Sequence, residues 1–309
     1  MNSIITQFKR EVWESPGIFY KAPIVLFVLI IFLSAISFYS LQNGVVADWD
    51  LQSNSEQWSW SLHSEIGSDK QGEDATPQTV VEKISHGQYI IYILFGIGCL
   101  FNTINYSLSA LVTDRKDRSV LFFKSLPLSE WQVVSTKLVV AVFLLPLAYW
   151  LFALATVVAY TIIAGAFAKV VLGADPQVIW QQISFFSTLA LSAVGLVLTA
   201  LWALPMYAII LTFSALARKS PLGLLGAVLM FLWVLEKWIF GTHYLADTLR
   251  GYFGGLEIVG QVSFVPLESL ELRSNAWRLL AAPGLYIGLA ISALCVFAAV
   301  WLRDRRFEI

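Results

Sequence analysis

Charged residues are scarce in this 309-residue chain, at 13%, about half of the ~25% usual in soluble domains. That shortage excludes a large soluble core, whose apolar runs would be shorter and broken by polar faces. Histidine occurs three times and cysteine twice. Cys99 and Cys295 both fall inside long apolar runs and read as small core residues. No His/Cys cluster with metal-ligand spacing exists, and His63 is at most a weak isolated ligand. The phosphate-binding pattern GxxxxGK[ST] is missing, as are HExxH and GxSxG, so no catalytic site is assigned and no cofactor is expected on the chain itself. Charges are also missing from the middle of the apolar runs. An ion-coupled carrier needs ionisable groups there, usually with interrupted spans in matched halves. Whatever this chain moves, if it moves anything, takes its energy from elsewhere.

What is abundant is apolar sequence: 58% of residues are hydrophobic and mean hydropathy is +0.71. Crossing a bilayer takes about 20 apolar residues. The charge-free runs predict an all-α integral membrane protein with six spans, about Pro23–Leu41, Tyr89–Val112, Leu138–Gly165, Ile183–Leu211, Leu222–Phe240 and Pro283–Leu302. The fifth must include Glu236 and Lys237, which snorkel to the outer interface or, if inside the bundle, mark a functional site. The fourth run covers Pro176–Ala217 without a turn signal. With six spans and both termini cytoplasmic, thirteen Lys and Arg lie inside against six outside. Splitting the fourth run would leave eleven against eight, so the positive-inside rule prefers six. The first apolar run begins only after 21 residues and is too long for a signal core, so it is expected to act as an uncleaved anchor in a bacterial cytoplasmic (inner) membrane.

Residues 1–309 read as one transmembrane domain. Within 1–21, Phe8, Val12 and Trp13 are expected on one face at helical spacing, among Lys9, Arg10, Glu11 and Glu14, which predicts an amphipathic helix on the inner membrane surface, broken at Ser15-Pro16-Gly17. Residues 42–88 form an acidic outer loop with Trp49, Trp58 and Trp60, and residues 241–282 form a Gly-rich second one, part of which dips into the outer leaflet. The Trp cluster reads as a headgroup-level belt or as a ligand contact. Pro23 and Pro283 open spans, Ser220-Pro221 reads as N-cap and N1, and Ser129-Glu-Trp-Gln132 reads as a capping box into the third span. Pro146 and Pro205 fall within spans. Gly284-Leu-Tyr-Ile-Gly288 permits close helix packing. The net charge of −1 and the scattered basic residues point away from nucleic acid.

The connection between the second and third spans, about 113–137, carries the richest pattern. Asp114, Arg115, Lys116, Asp117 and Arg118 precede a compact apolar patch of Val120, Leu121, Phe122 and Phe123, then Lys124, Ser125, Leu126 and Pro127. A loop that only joined two helices would not need that patch. An apolar plug for a partner's groove supplies grip, and a charged rim sets orientation. Alternatively, Arg115, Lys116 and Arg118 only fix topology on anionic lipid. A short helix is expected near Ser119–Ser125.

Two stretches resemble the ABC-2 type transporter permeases, the membrane subunits of ABC exporters. Phe8-Lys-Arg-Glu-Val-Trp-Glu14 with Ser15-Pro-Gly and the aromatic run into Pro23 is similar to that family's N-terminal interfacial helix. Asp114-Arg-Lys-Asp-Arg-Ser-Val-Leu-Phe-Phe-Lys-Ser-Leu-Pro-Leu-Ser129 is similar to its coupling segment. The resemblance covers about 8–24 and 112–138; elsewhere only the six-span layout agrees. It implies that 114–118 and 120–127 dock on a separate ATP-binding subunit, which carries the ATP and Mg. It also implies a second permease copy, identical or related, with the substrate path between the two on apolar faces of the second and fifth spans near Gly223 and Gly226. The rival readings are a membrane assembly factor or sensor, and a secondary carrier.

Overall fold

The computed structural model describes residues 3–42, 77–116, 129–172, 185–217, 220–241, 247, 250–252 and 280–306. Among them every regular element is helical. In chain order these are α1 Ser3–Glu14, α2 Ala22–Gln42, α3 Pro77–Lys116, α4 Glu130–Val139, α5 Leu145–Leu172, α6 Phe185–Leu216, α7 Pro221–Leu235 and α8 Pro283–Arg306. Six helical stretches are long and apolar enough to cross a membrane: Gly17–Tyr39, Ile84–Asp114, Glu130–Val170, Ser192–Leu216, Pro221–Ile239 and Pro283–Asp304. The described part of the long fourth run is one helix, Phe185–Leu216, with Pro205 inside it. The second helix starts earlier than the apolar run does. It begins at Pro77, so residues 77–88, expected in the outer loop, belong to α3.

Local signals account for several boundaries. Ser129 Oγ accepts from Gln132 N and Gln132 Oε1 accepts from Ser129 N, completing the capping box of α4. Ser220 stands at the N-cap of α7 in extended conformation, but its side chain makes no cap hydrogen bond. A single π turn, Val140–Leu144, joins α4 to α5. Pro146 stands two residues beyond it, and a π bulge is one way a helix absorbs a missing N–H. Two more π turns are present: Gly17–Lys21 leads into α2, and Glu236–Phe240 prolongs α7, which then stops at Gly241 with φ +60, a left-handed conformation that suits glycine.

The described residues gather into two compact units. The larger takes in 1–24, 92–152 and 185–309. Its core joins Phe19, Tyr106, Leu111, Val134, Leu138, Leu145, Tyr207, Leu211 and Ala299, with Phe8 and Val12 of α1 packed against it. The glycine pair of α8 faces α6: a Cβ on Gly284 would lie 3.9 Å from Trp202 Cη2, and one on Gly288 would lie 3.1 Å from Pro205 Cγ. Gly288→Leu is therefore expected to cost about 1–3 kcal/mol by overpacking, while Gly284→Ala leaves thermal unfolding in detergent unchanged. Tyr252 donates its hydroxyl to the Trp202 carbonyl, and burial pushes that phenol up to about 12.

The smaller unit takes in 25–91 and 153–184. Ile84, Ala164 and Ala168 form its core with Phe38 and Tyr160. Phe38 stacks on Tyr160 at 6.0 Å and on Phe167 at 5.0 Å. Gln88 Nε2 donates to Thr161 Oγ1 at 2.8 Å. A Cβ on Gly87 would lie 2.0 Å from Tyr160 Oη and 2.5 Å from its Cζ. Gly87→Ala is expected to push the ring off Phe38 and to cost about 1–3 kcal/mol. In a Tyr160→Leu background the same change should cost much less, which a double-mutant cycle of melting curves would read.

Candidate functional site

Four charged residues are buried among the described ones, Glu11, Asp114, Lys137 and Arg303, and all four meet in one place. Lys137 Nζ lies 2.9 Å from Glu11 Oε1 and 3.3 Å from Asp114 Oδ1. Arg303 Nη1 lies 3.3 Å from Asp114 Oδ2, and Arg303 Nε lies 2.5 Å from Glu130 Oε2. The result is a line of alternating sign, Glu11–Lys137–Asp114–Arg303–Glu130, drawn from α1, α3, α4 and α8. One hydrogen bond extends it: Tyr106 donates its hydroxyl to Glu11 Oε2 at 2.7 Å. Separately, Thr136 Oγ1 donates to Gln7 Oε1 at 2.9 Å, a further tie between α4 and α1.

Helix geometry explains why these residues can meet. Glu130 and Lys137 are two turns apart and share a face of α4. Glu130 occupies the first turn of α4, and Arg303 the last turns of α8, where the helix dipole favours an anion and a cation respectively. Asp114 has the opposite problem. It sits near the carboxyl end of α3, where the dipole disfavours a carboxylate, and it faces two cations. Lys137 and Arg303 are 3% and 2% exposed. A buried charge is costly unless paired, and here each side chain of the line pairs with its neighbour. The mutual pairing leaves no group poised as nucleophile or general base. Among the described residues no group of His, Cys, Asp and Glu is arranged to hold a metal ion.

The expected docking residues fall into three sets. Asp114 does not stand on an open rim; it faces inward to Lys137 and Arg303, because only there do cations offset its burial. Arg115 and Lys116 are the last residues of α3. Asp117, Arg118, Val120, Leu121, Phe122, Phe123, Lys124, Ser125, Leu126 and Pro127 lie outside the described residues, as does the short helix expected near Ser119–Ser125. Both ends of that stretch are nevertheless in the charge line, Asp114 just before it and Glu130 just after it.

The α1 residues do not share one face. Phe8 and Val12 pack on the core, and Glu11 is buried between them in sequence. Trp13 is 72% exposed, with Lys9 Nζ 5.1 Å above its ring, and Arg10 pairs with Glu14. Trp13 is five positions from Phe8, about 140° around the helix, so a helix docked by Phe8 must turn Trp13 away.

Two further surfaces bear on the expected path. α3 exposes Asn105 and Ser109 and half-exposes Asn102, a polar stripe on a helix expected to be apolar there. The Asn102 and Asn105 amides donate back to Gly98 O and Phe101 O. α7 has no buried residue, and Gly226 has open space where a side chain would go. Lys237, beyond the last turn of α7, lies 5.2 Å above the Trp233 ring.

Sequence reasoning used Lys137 and Arg303 only as topology determinants and Glu130 only as a capping residue. One signal was available: Lys137 is a lone cation two turns inside a helix that is apolar for the next thirty residues.

Comparison of the chain with family models, with curated proteins and with solved structures returns no match.

Proposed function

We propose that this chain is the membrane-spanning permease subunit of an ATP-driven ABC exporter, coupled to a separate ATP-binding subunit. The observation that carries the reading is the placement of the buried charges. They avoid the middle of the spanning helices and collect at the two roots of the 117–128 connection. A protein coupled to an ion gradient would place ionisable groups along its spans. A subunit driven from outside the membrane needs stiff roots where the drive enters.

The rest of the reading follows the charge bias and the resemblance. Both termini and the 113–137 connection face the cytoplasm, in a bacterial inner membrane, and α1 lies along its inner surface with Trp13 toward lipid. Two permease copies, identical or related, enclose the path. Its wall takes the exposed faces of α3 and α7. The stripe of Asn102, Asn105 and Ser109 beside Phe101 and Leu94 makes that wall amphipathic and suits bulky amphipathic cargo.

The deciding experiment is affinity capture of the tagged chain from native membranes with ATPase activity assayed in the eluate. Co-elution of an ATP-binding subunit supports the exporter. A clean eluate without ATPase removes the energy source and leaves the assembly or sensor reading.

A further inference from the structure

We propose that Arg303 is a positioning residue that fastens both ends of the 117–128 connection to the last spanning helix. One guanidinium, 2% exposed, reaches Asp114 at 3.3 Å and Glu130 at 2.5 Å. These two carboxylates belong to different helices and stand on either side of the connection in sequence. A guanidinium suits this task because it is planar, always charged and presents donors in several directions; a lysine would offer one compact charge.

What Arg303 is attached to gives the fastening its direction. α8 is seated on α6: Gly288 lies against Pro205, and Thr212 Oγ1 donates to the Cys295 carbonyl at 2.9 Å. α6 in turn grips α3 one turn before Asp114, where Ser214 Oγ donates to Leu108 O at 2.7 Å and accepts from Leu111 N at 3.2 Å. α8 also touches α4 beside Glu130, with Trp131 and Phe297 rings 6.1 Å apart. A displacement of the connection therefore reaches α8 and α6 together, through Arg303, instead of bending α3 or α4 alone. The role of that displacement in coupling rests on the exporter reading; the fastening itself does not.

The test measures the spacing of the two roots in the full chain alone, in nanodiscs. Nitroxides on Thr113→Cys and Ser135→Cys, both exposed positions, are placed in a Cys99→Ala/Cys295→Ala background, and their distance distribution is read by pulsed electron resonance. The wild-type network should give one narrow distribution. Arg303→Met combined with Glu130→Gln removes the fastening while Asp114 keeps Lys137 at 3.3 Å, so no buried charge is stranded, and the narrow peak should be lost. Tyr106→Phe, which removes a hydrogen bond from Glu11 and none from Arg303, should keep it. A double variant as narrow as wild type overturns the proposal, and so does a broad wild type. Equal broadening in Tyr106→Phe overturns the specific role of Arg303. If no ATPase co-purifies with the chain, the exporter reading fails while this measurement still judges the fastening.

Discussion

Replacing Lys137 by Met is expected to cost about 3–5 kcal/mol of folding stability, the usual range for removing one partner of a buried ion pair. Met keeps most of the side-chain volume, so the loss is electrostatic. Glu11 would be left with the Tyr106 hydroxyl as its only described partner, and Asp114 would lose one of the two cations described beside it. Thermal unfolding in detergent, followed by tryptophan fluorescence, would read the loss. The cause is checked by neutralising the stranded acids: Lys137→Met with Glu11→Gln and Asp114→Asn should recover most of the stability, because shape-matched neutral groups need no counter-charge. A Lys137→Met protein that melts with the wild type would mean that water reaches the network and screens it.

Phe122→Asp with Leu126→Asp should abolish ATPase capture while leaving the permease itself folded. If both side chains are anchors in a partner groove, each costs at least about 2 kcal/mol when spoiled, and about 4 kcal/mol together weakens binding roughly a thousandfold. The comparison is ATPase activity per captured permease, wild type against variant, with the melting curve of each eluate as the folding control. Retained ATPase in a folded variant would leave the docking surface elsewhere. Loss of ATPase with a collapsed melting curve would show that the patch is needed for folding instead.

The spanning helices were legible because lipid imposes a simple rule: apolar side chains over about 20 residues. Pro176–Ala217 had no turn signal, and its charges argued against a split; the helix runs unbroken from Phe185 to Leu216. The capping box of α4 was legible because its two residues are three apart. Ser220 matched the same statistics and makes no cap bond, since residue type permits a cap without compelling it. The start of α3 was missed because residues 77–83 are polar enough to look like loop. The charge network was not legible. Glu11, Asp114, Lys137 and Arg303 span almost the whole chain, and nothing in local spacing says which acid meets which base. Phe8, Val12 and Trp13 were expected on one face, but Trp13 stands about 140° from Phe8 and is turned out while Phe8 and Val12 pack on the core.

The bare flank of α7 makes one segment a gauge of bilayer thickness. Pro221–Ile239 holds 19 residues, about 28 Å of helix at 1.5 Å per residue, against a hydrocarbon core of about 30 Å. Such a helix has no length to spare for tilt. With none of its residues buried, packing does little to hold its depth, and Trp233, Lys237 and Trp238 at one end act as floats. In a thicker membrane it must draw its ends inward or thin the lipid around it, each at a fraction of a kcal/mol per Å. Lipid chain length is thus a variable to which this helix responds more directly than the better-packed α6, whose spanning stretch is more than half buried.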